Sequence, residues 1–156
     1  SLLEKFLPER QNYSQIFNAT NAFIDLLTFQ DESKNDYWME GYVKWEIGVL
    51  SSIGFSLDLN RCAVTGSDTN LLFVSPKTGK AVSKEGAGRH APRLLLLPSF
   101  LGGDNVIGSN FYKEILAGLN ITSYFFKNKL LLSINTNKPI NLPNPRIRFV
   151  ELIEKL

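Results

Sequence analysis

Residues 36–53 constrain the fold more than any other stretch of the chain. Trp38, Tyr42, Trp45, Val49 and Ile53 recur at helical spacing and form one stripe. Met39, Val43, Ile47 and Leu50 widen it until the segment is apolar nearly all round. A helix of that kind is stable only where other elements cover it, so it is predicted to be central and buried. Gly41 and Gly48 let another element approach closely, at some cost in helix propensity. Gly54 is the predicted stop.

The covering elements are also legible. Residues 12–30 read as a helix capped by Asn12 or Ser14, with Ile16, Thr20, Phe23 and Leu27 on one face and Ala19 and Leu26 beside them. The polar run 30–35 is a loop. Phe111, Ile115 and Leu119 fit a helix that Ser109 caps, and Ile121, Tyr124, Phe125 and Leu132 fit another that Asn120 caps. A loop with three prolines spans 135–145. Asn144-Pro145, a cap followed by proline, opens a last helix carrying Ile147, Val150, Leu152 and Ile153. Between these lies different chemistry. Leu71–Ser75 is a β-type run, Pro76-Lys77-Thr78-Gly79 is a turn, and Lys80–Ser83 returns. The predicted class is mainly α, a helical bundle with a small β-hairpin insert.

Length and composition agree with one packed domain. The 156 residues are 44% apolar and 21% charged, with a net charge of +2. A chain of this size buries roughly 68–70% of its unfolded surface. Its hydrophobicity and small net charge exclude intrinsic disorder. The single cysteine, Cys62, excludes a disulfide scaffold. The longest leucine string, Leu94–Leu97, is far short of the ~18 residues of a membrane span, so no membrane partner is expected. No signal peptide is visible. The chain opens on Ser1 and its one methionine is Met39, so it is expected to be part of a longer protein.

The charge is segregated. Residues 1–60 carry nine acids and four bases, a balance of −5; residues 61–156 carry thirteen bases and six acids, +7. The densest basic stretch holds Arg61, Lys77, Lys80, Lys84, Arg89 and Arg93. Such a surface attracts phosphate or acidic peptide. A solvated face that offsets the acidic half is the plainer reading.

Motifs for covalent chemistry fail one by one. A Ser/His/Asp triad would need His90, the only histidine, and no Gly-x-Ser-x-Gly elbow accompanies any serine. Nothing in the sequence marks Cys62 as a reactive thiol, and a buried structural cysteine is the better reading. Gly79-Lys80 could close a phosphate loop, but that motif needs glycine where Val74 stands and Ser or Thr where Ala81 stands. Gly86-Ala87-Gly88-Arg89 reads as a turn rather than an anion nest. Trp38 and Trp45 lie on the apolar stripe, which favours core over base stacking.

One stretch carries a resemblance. Trp45-Glu46-Ile47-Gly48-Val49-Leu50 is followed by Leu57-Asp58-Leu59-Asn60-Arg61-Cys62-Ala63-Val64-Thr65-Gly66. Then come Val74-Ser75-Pro76-Lys77-Thr78-Gly79-Lys80-Ala81-Val82-Ser83 and Leu95-Leu96-Leu97-Pro98-Ser99-Phe100-Leu101. This closely resembles the bacterial RecO family of DNA repair and recombination mediators, in its alphaproteobacterial form. Leu7-Pro8-Glu9-Arg10 and the closing helix from Arg146 also fit, so the resemblance covers essentially the whole chain. It implies the C-terminal helical domain over 1–156, with 61–93 as a degenerate zinc-ribbon-like insert and the N-terminal OB-fold missing. Many members hold a structural zinc with four cysteines in two Cys-x-x-Cys pairs. The matching positions here are Cys62, Thr65, Ser83 and Gly86, so no metal or other cofactor is expected, and the hairpin is expected to be held by Leu72, Val74 and Val82.

The resemblance also implies a function without covalent chemistry. Such proteins load the recombinase RecA onto gapped single-stranded DNA, work with RecR, contact the acidic C-terminal tail of the single-strand-binding protein, and anneal strands in the bacterial cytoplasm at the nucleoid. Lys44, Arg61 and Arg93 are expected to take the acidic tail or phosphate. Lys77, Lys80, Lys84 and Arg89 would extend a DNA path. A scaffold domain with no ligand of its own is the alternative, and a small hydrolase using Cys62 or His90 is a third reading.

Overall fold

A computed structural model describes residues 2–3, 13–28, 36–104, 110–133 and 141–156, without the side chains of 129–133. The predicted caps Asn12 and Ser109, the loop 30–35, Leu7-Pro8-Glu9-Arg10 and most of the proline loop lie outside these residues, as does the Leu132 side chain. The chain divides into two compact units, Ser1–Ser56 and Leu57–Leu156.

The first unit is built on two helices, α1 (Ser14–Thr28) and α2 (Trp38–Ser52). Gly41 lets them meet closely: a Cβ there would lie 2.5 Å from Leu26 Cδ2. Gly48 is less tight, with Ile16 at 3.9 Å. The Trp45 indole donates to Thr20 Oγ1 (2.9 Å), and Thr20 in turn donates to the Ile16 carbonyl (2.7 Å). On α2 the buried side chains are Met39, Val43, Glu46, Val49 and Leu50. Trp38, Tyr42 and Trp45 are only half-buried. Trp38 and Trp45 were expected in the core; the helix is instead turned so that the aliphatic residues, with Glu46 among them, lie inside. A segment apolar all round has no strong preference for which face it buries. Full burial of Val43, Val49 and Leu50 contributes about 1.5–3 kcal/mol each. The helix stops as predicted. Gly54 adopts φ +92°, its amide bonds to the Ser51 carbonyl (3.0 Å), and the Phe55 amide bonds to the Leu50 carbonyl (2.8 Å), which completes a Schellman motif.

The second unit holds the predicted hairpin, β1 (Leu71–Val74) and β2 (Ala81–Ser83), paired antiparallel. Gly79 at φ +70° closes its turn, and the Ser75 amide donates to the Lys80 carbonyl (2.9 Å). A third strand, β3 (Leu95–Leu96), pairs with the other side of β1, giving the order β2-β1-β3. Two residues carry no period, so this strand was not legible as more than a leucine run. The outer edge of β2 is covered by chain 58–63: the Ala81 amide donates to the Asp58 carbonyl (2.8 Å) and the Ala63 amide to the Ala81 carbonyl (2.9 Å). A short helical turn, α3 (Lys84–Ala87), and two 3₁₀ turns, Gly88–Arg93 and Ser99–Leu101, complete the ribbon.

Two longer helices follow, α4 (Phe111–Ser133) and α5 (Asn144–Ile153). The expectation of two helices meeting at Asn120 is corrected: α4 runs through. Asn120 is exposed, and Thr122 and Ser123 return their hydroxyls to the Leu119 carbonyl (3.2 and 2.6 Å), so no side chain there breaks the ladder. Pro143, rather than Asn144, occupies the cap position of α5. The unit's core joins Leu71, Val74, Ala81 and Val82 of the sheet to Leu97 and to Ile115, Leu119, Phe125 and Phe126 of α4. Glu114, nearly buried, accepts from the Ser99 amide and hydroxyl and so pins the turn 99–101 to α4. The fold is therefore mainly α with a small antiparallel sheet, as expected. No described helix is long and apolar enough to cross a membrane.

Candidate functional site

The four positions singled out in the ribbon converge. Cys62 is buried, and its Sγ accepts from the Val64 and Thr65 amides, each at 3.4 Å. Thr65 Oγ1 and Ser83 Oγ lie 3.4 Å apart. Ser83 caps α3 by accepting from the Gly86 amide (3.1 Å), and a Cβ on Gly86 would stand 2.8 Å from Cys62 Sγ. A thiol, two hydroxyls and a glycine thus meet where two Cys-x-x-Cys knuckles would place four thiolates. That donor set does not fit zinc, which takes thiolate, imidazole or carboxylate. Among the described residues, no group of three or more His, Cys, Asp or Glu could hold a metal ion. The Val64 and Thr65 amides hold the Cys62 thiol in place, and the two hydroxyls stand within reach of each other beside it.

The same bonds act on the thiol. Burial raises its pKa, but the hydrogen bonds from Ser83 and Thr65 outweigh that and lower it from the ordinary 9.0 to about 6. A depressed folded pKa makes the thiolate a stabilising group above the unfolded pKa, and that stability is lost as pH falls through about 6. Unfolding free energy is expected to rise between about pH 6 and 9 in the parent chain. The C62A variant should lack that rise. Urea denaturation of both across this range checks it, and parallel curves would mean that the thiol stays protonated.

The expected basic residues are all exposed, on distinct parts of the ribbon. Arg61 precedes Cys62. Lys77 stands at the hairpin turn and Lys80 just after it, 3.9 Å from Asp58, an exposed pair of small energetic weight. Lys84 opens α3. Arg89 and Arg93 sit on the 3₁₀ turn with His90, which is exposed.

Lys44 has a different setting. It is exposed on α2 and lines an apolar groove of about 300 Å³ in the first unit. Ala19, Ala22, Phe23 and Leu26 form one wall, and Gly41 and Trp45 the other. Phe23 and Trp45 are stacked at 6.1 Å, and Tyr42 lies 5.7 Å from Trp45 and 5.9 Å from Phe23. Trp45, expected in the core, is a groove residue. The missed signal was local: two alanines three apart on α1, facing a glycine on α2, leave room between aromatic walls. A cation at the mouth of an apolar slot can hold a peptide that carries both an acidic group and an apolar side chain.

Comparison with known proteins adds the family. Residues 1–138 match the family described as "Recombination protein O C terminal". A protein named DNA repair protein RecO from Wolbachia pipientis subsp. Culex pipiens is 39% identical over 142 residues, covering 89% of this chain and 57% of its own length. Its namesake from Ruegeria sp. is 38% identical over 155 residues, covering 99% and 60%. That of Cereibacter sphaeroides is 40% identical with the same coverage. The chain thus spans about three fifths of the length of these relatives. No solved structure matches it. With the family match running from the first residue past the end of α4, the chain belongs to the RecO family, by that family's C-terminal part.

Proposed function

We propose that this chain acts in bacterial DNA repair and recombination as a binding module. It captures the acidic tail of the single-strand-binding protein in the Lys44 groove. The exposed bases of the ribbon follow the phosphates of single-stranded DNA. In the whole protein these contacts, together with RecR, deliver the recombinase to coated DNA and support strand annealing. The relatives' shared name, DNA repair protein RecO, supports the setting. The observation that carries the reading for this chain is the groove itself. Lys44 stands beside a slot walled by Phe23 and Trp45, which suits a tail of aspartates with an apolar end. Arg61 and Arg93 are assigned to an acidic ligand or to phosphate, and Lys77, Lys80, Lys84 and Arg89 to the DNA path. Burial of Cys62 at 3% exposure removes the one thiol from substrate reach and favours binding over catalysis.

One binding study with two ligands tests this. Isothermal titration with a peptide of aspartates ending in phenylalanine is expected to give binding that weakens with salt. K44E should lose about tenfold or more in affinity. In the second arm, replacing Lys77, Lys80 and Lys84 together with Glu should weaken binding to single-stranded DNA. It should also flatten the salt slope by about 0.7 for each phosphate that is no longer neutralised. A folded domain that takes neither ligand would leave the scaffold reading standing in its place.

A further inference from the structure

The groove has a width, and one residue holds it. We infer that Gly41 is the positioning residue of the Lys44 groove: it keeps the Leu26 side chain out of the slot that a partner's apolar side chain enters. This rests on the acidic-peptide reading and goes beyond it by naming what sets the slot's size.

Gly41 lies on the α2 wall, one turn before Lys44 and Trp45. A Cβ at 41 would stand 2.5 Å from Leu26 Cδ2, far inside van der Waals contact, and 3.6 Å from Phe23 Cδ2, an ordinary distance. The overlap therefore falls on Leu26 alone. Leu26 Cδ2 is the end of a side chain with rotatable bonds, so the easier response is a change of rotamer. The α1 backbone is less free to move. The Trp45–Thr20 hydrogen bond and the Phe23–Trp45 stack tie it to α2 on the same face. Leu26 lines the groove, so the slot borders the methyl that has to move. Glycine inside a helix is less favourable than alanine. At Gly41 the groove is what the missing side chain provides.

The test is a double-mutant cycle with G41A and L26A, read by titration of the same aspartate peptide ending in phenylalanine. G41A is expected to bind about tenfold more weakly than the parent, because one apolar side chain loses its seat. Alanine favours the helix, so thermal melting of G41A should show an intact fold. In the L26A background, the change from Gly41 to Ala should alter affinity by no more than about twofold, because the group it displaces is gone. Equal losses in both backgrounds would overturn the inference and leave Gly41 a plain packing residue. An unchanged affinity for G41A beside a parent that binds and a K44E variant that does not would overturn it too, while sparing the acidic-peptide reading. A parent chain that takes no peptide at all would overturn both.

Discussion

Replacing Arg146 with alanine is expected to lower the stability of the α4–α5 pair by about 3 kcal/mol. Arg146 is 4% exposed, unusual for a guanidinium. It opens α5 and reaches across to α4, where Nη1 donates to Ser123 Oγ (2.9 Å) and Nη2 donates to Thr122 Oγ1 (2.9 Å) and to the Leu119 carbonyl (3.3 Å). Its carbon lies over the Phe126 ring, 6.0 Å from the centroid. Hydrogen bonds to a charged group contribute about 1.5–3 kcal/mol each at most, and these three share one group, so they do not add. Alanine also leaves a void where the side chain packed. The hydroxyls themselves are not stranded, since Ser123 and Thr122 can still donate to the Leu119 carbonyl. R146M fills much of the volume without the charge and should cost less than half as much, because apolar replacement of a buried ion is often mild. R146K keeps the charge but not the planar fork whose two nitrogens reach the separate acceptors, and it should fall nearer to alanine. Urea denaturation of the three variants gives the order. Equal stability of R146A and the parent would mean that apolar packing, Ile153 included, is enough to hold α5.

Arg146 also shows what the sequence could and could not reveal. Along the chain it stands out only as the start of a helix that fits the family, because its acceptors lie more than twenty residues upstream and no local pattern joins them. Glu114 and Ser99, and Glu46 on α2, are the same case: a charge on an apolar helix reads as an exposed position until its distant surroundings are known. Local chemistry was legible. Pro76 to Gly79 fixed the hairpin, Gly54 the end of α2, and Gly41 the close helix contact. Elements with weak local signals were not. The two residues of β3 have no period, and Asn120 offered a cap that the continuous apolar face of α4 overrode. The groove lay between these cases. Its aromatic walls were visible as a stripe, but which side of the stripe stays open depends on how two helices turn against each other. The meeting of Cys62, Thr65, Ser83 and Gly86 was reached only through the family resemblance, since three of the four residues carry no ligand chemistry.

That meeting point yields the largest effect expected of any substitution in the chain. The triple variant T65C, S83C, G86C should bind one zinc ion, with an apparent stabilisation on the order of 10 kcal/mol near neutral pH. Four thiolates at about 2.3 Å from zinc sit about 3.8 Å from one another. Thr65 Oγ1 and Ser83 Oγ are already 3.4 Å apart, so that edge needs little movement. The Val64 and Thr65 amides already point at Cys62 Sγ, as amides do around a metal-bound thiolate. Cys62 supplies the first thiolate, and every cysteine that enters as a thiol gives up its proton on binding, so the variant's zinc affinity should rise with pH. The fourth position is the tight one. A Cβ at 86 would stand 2.8 Å from Cys62 Sγ, so the metal-free variant must open the knuckle and should be less stable than the parent by about 1–3 kcal/mol. Zinc should reverse that loss, so the variant's melting temperature should fall sharply with a chelator while the parent's does not move. Elemental analysis after dialysis is expected to find one zinc per triple-variant chain, and the cobalt-loaded form should show thiolate charge-transfer absorption. The pair T65C, S83C offers three thiolates with Cys62 and should bind far more weakly, which isolates the contribution of position 86. A triple variant that retains no zinc would show that the four positions share sequence places but not a tetrahedral geometry. A mole of zinc held by the parent chain through the same dialysis would overturn the reading of its donor set, because one thiolate, two hydroxyls and a glycine give zinc too little to hold.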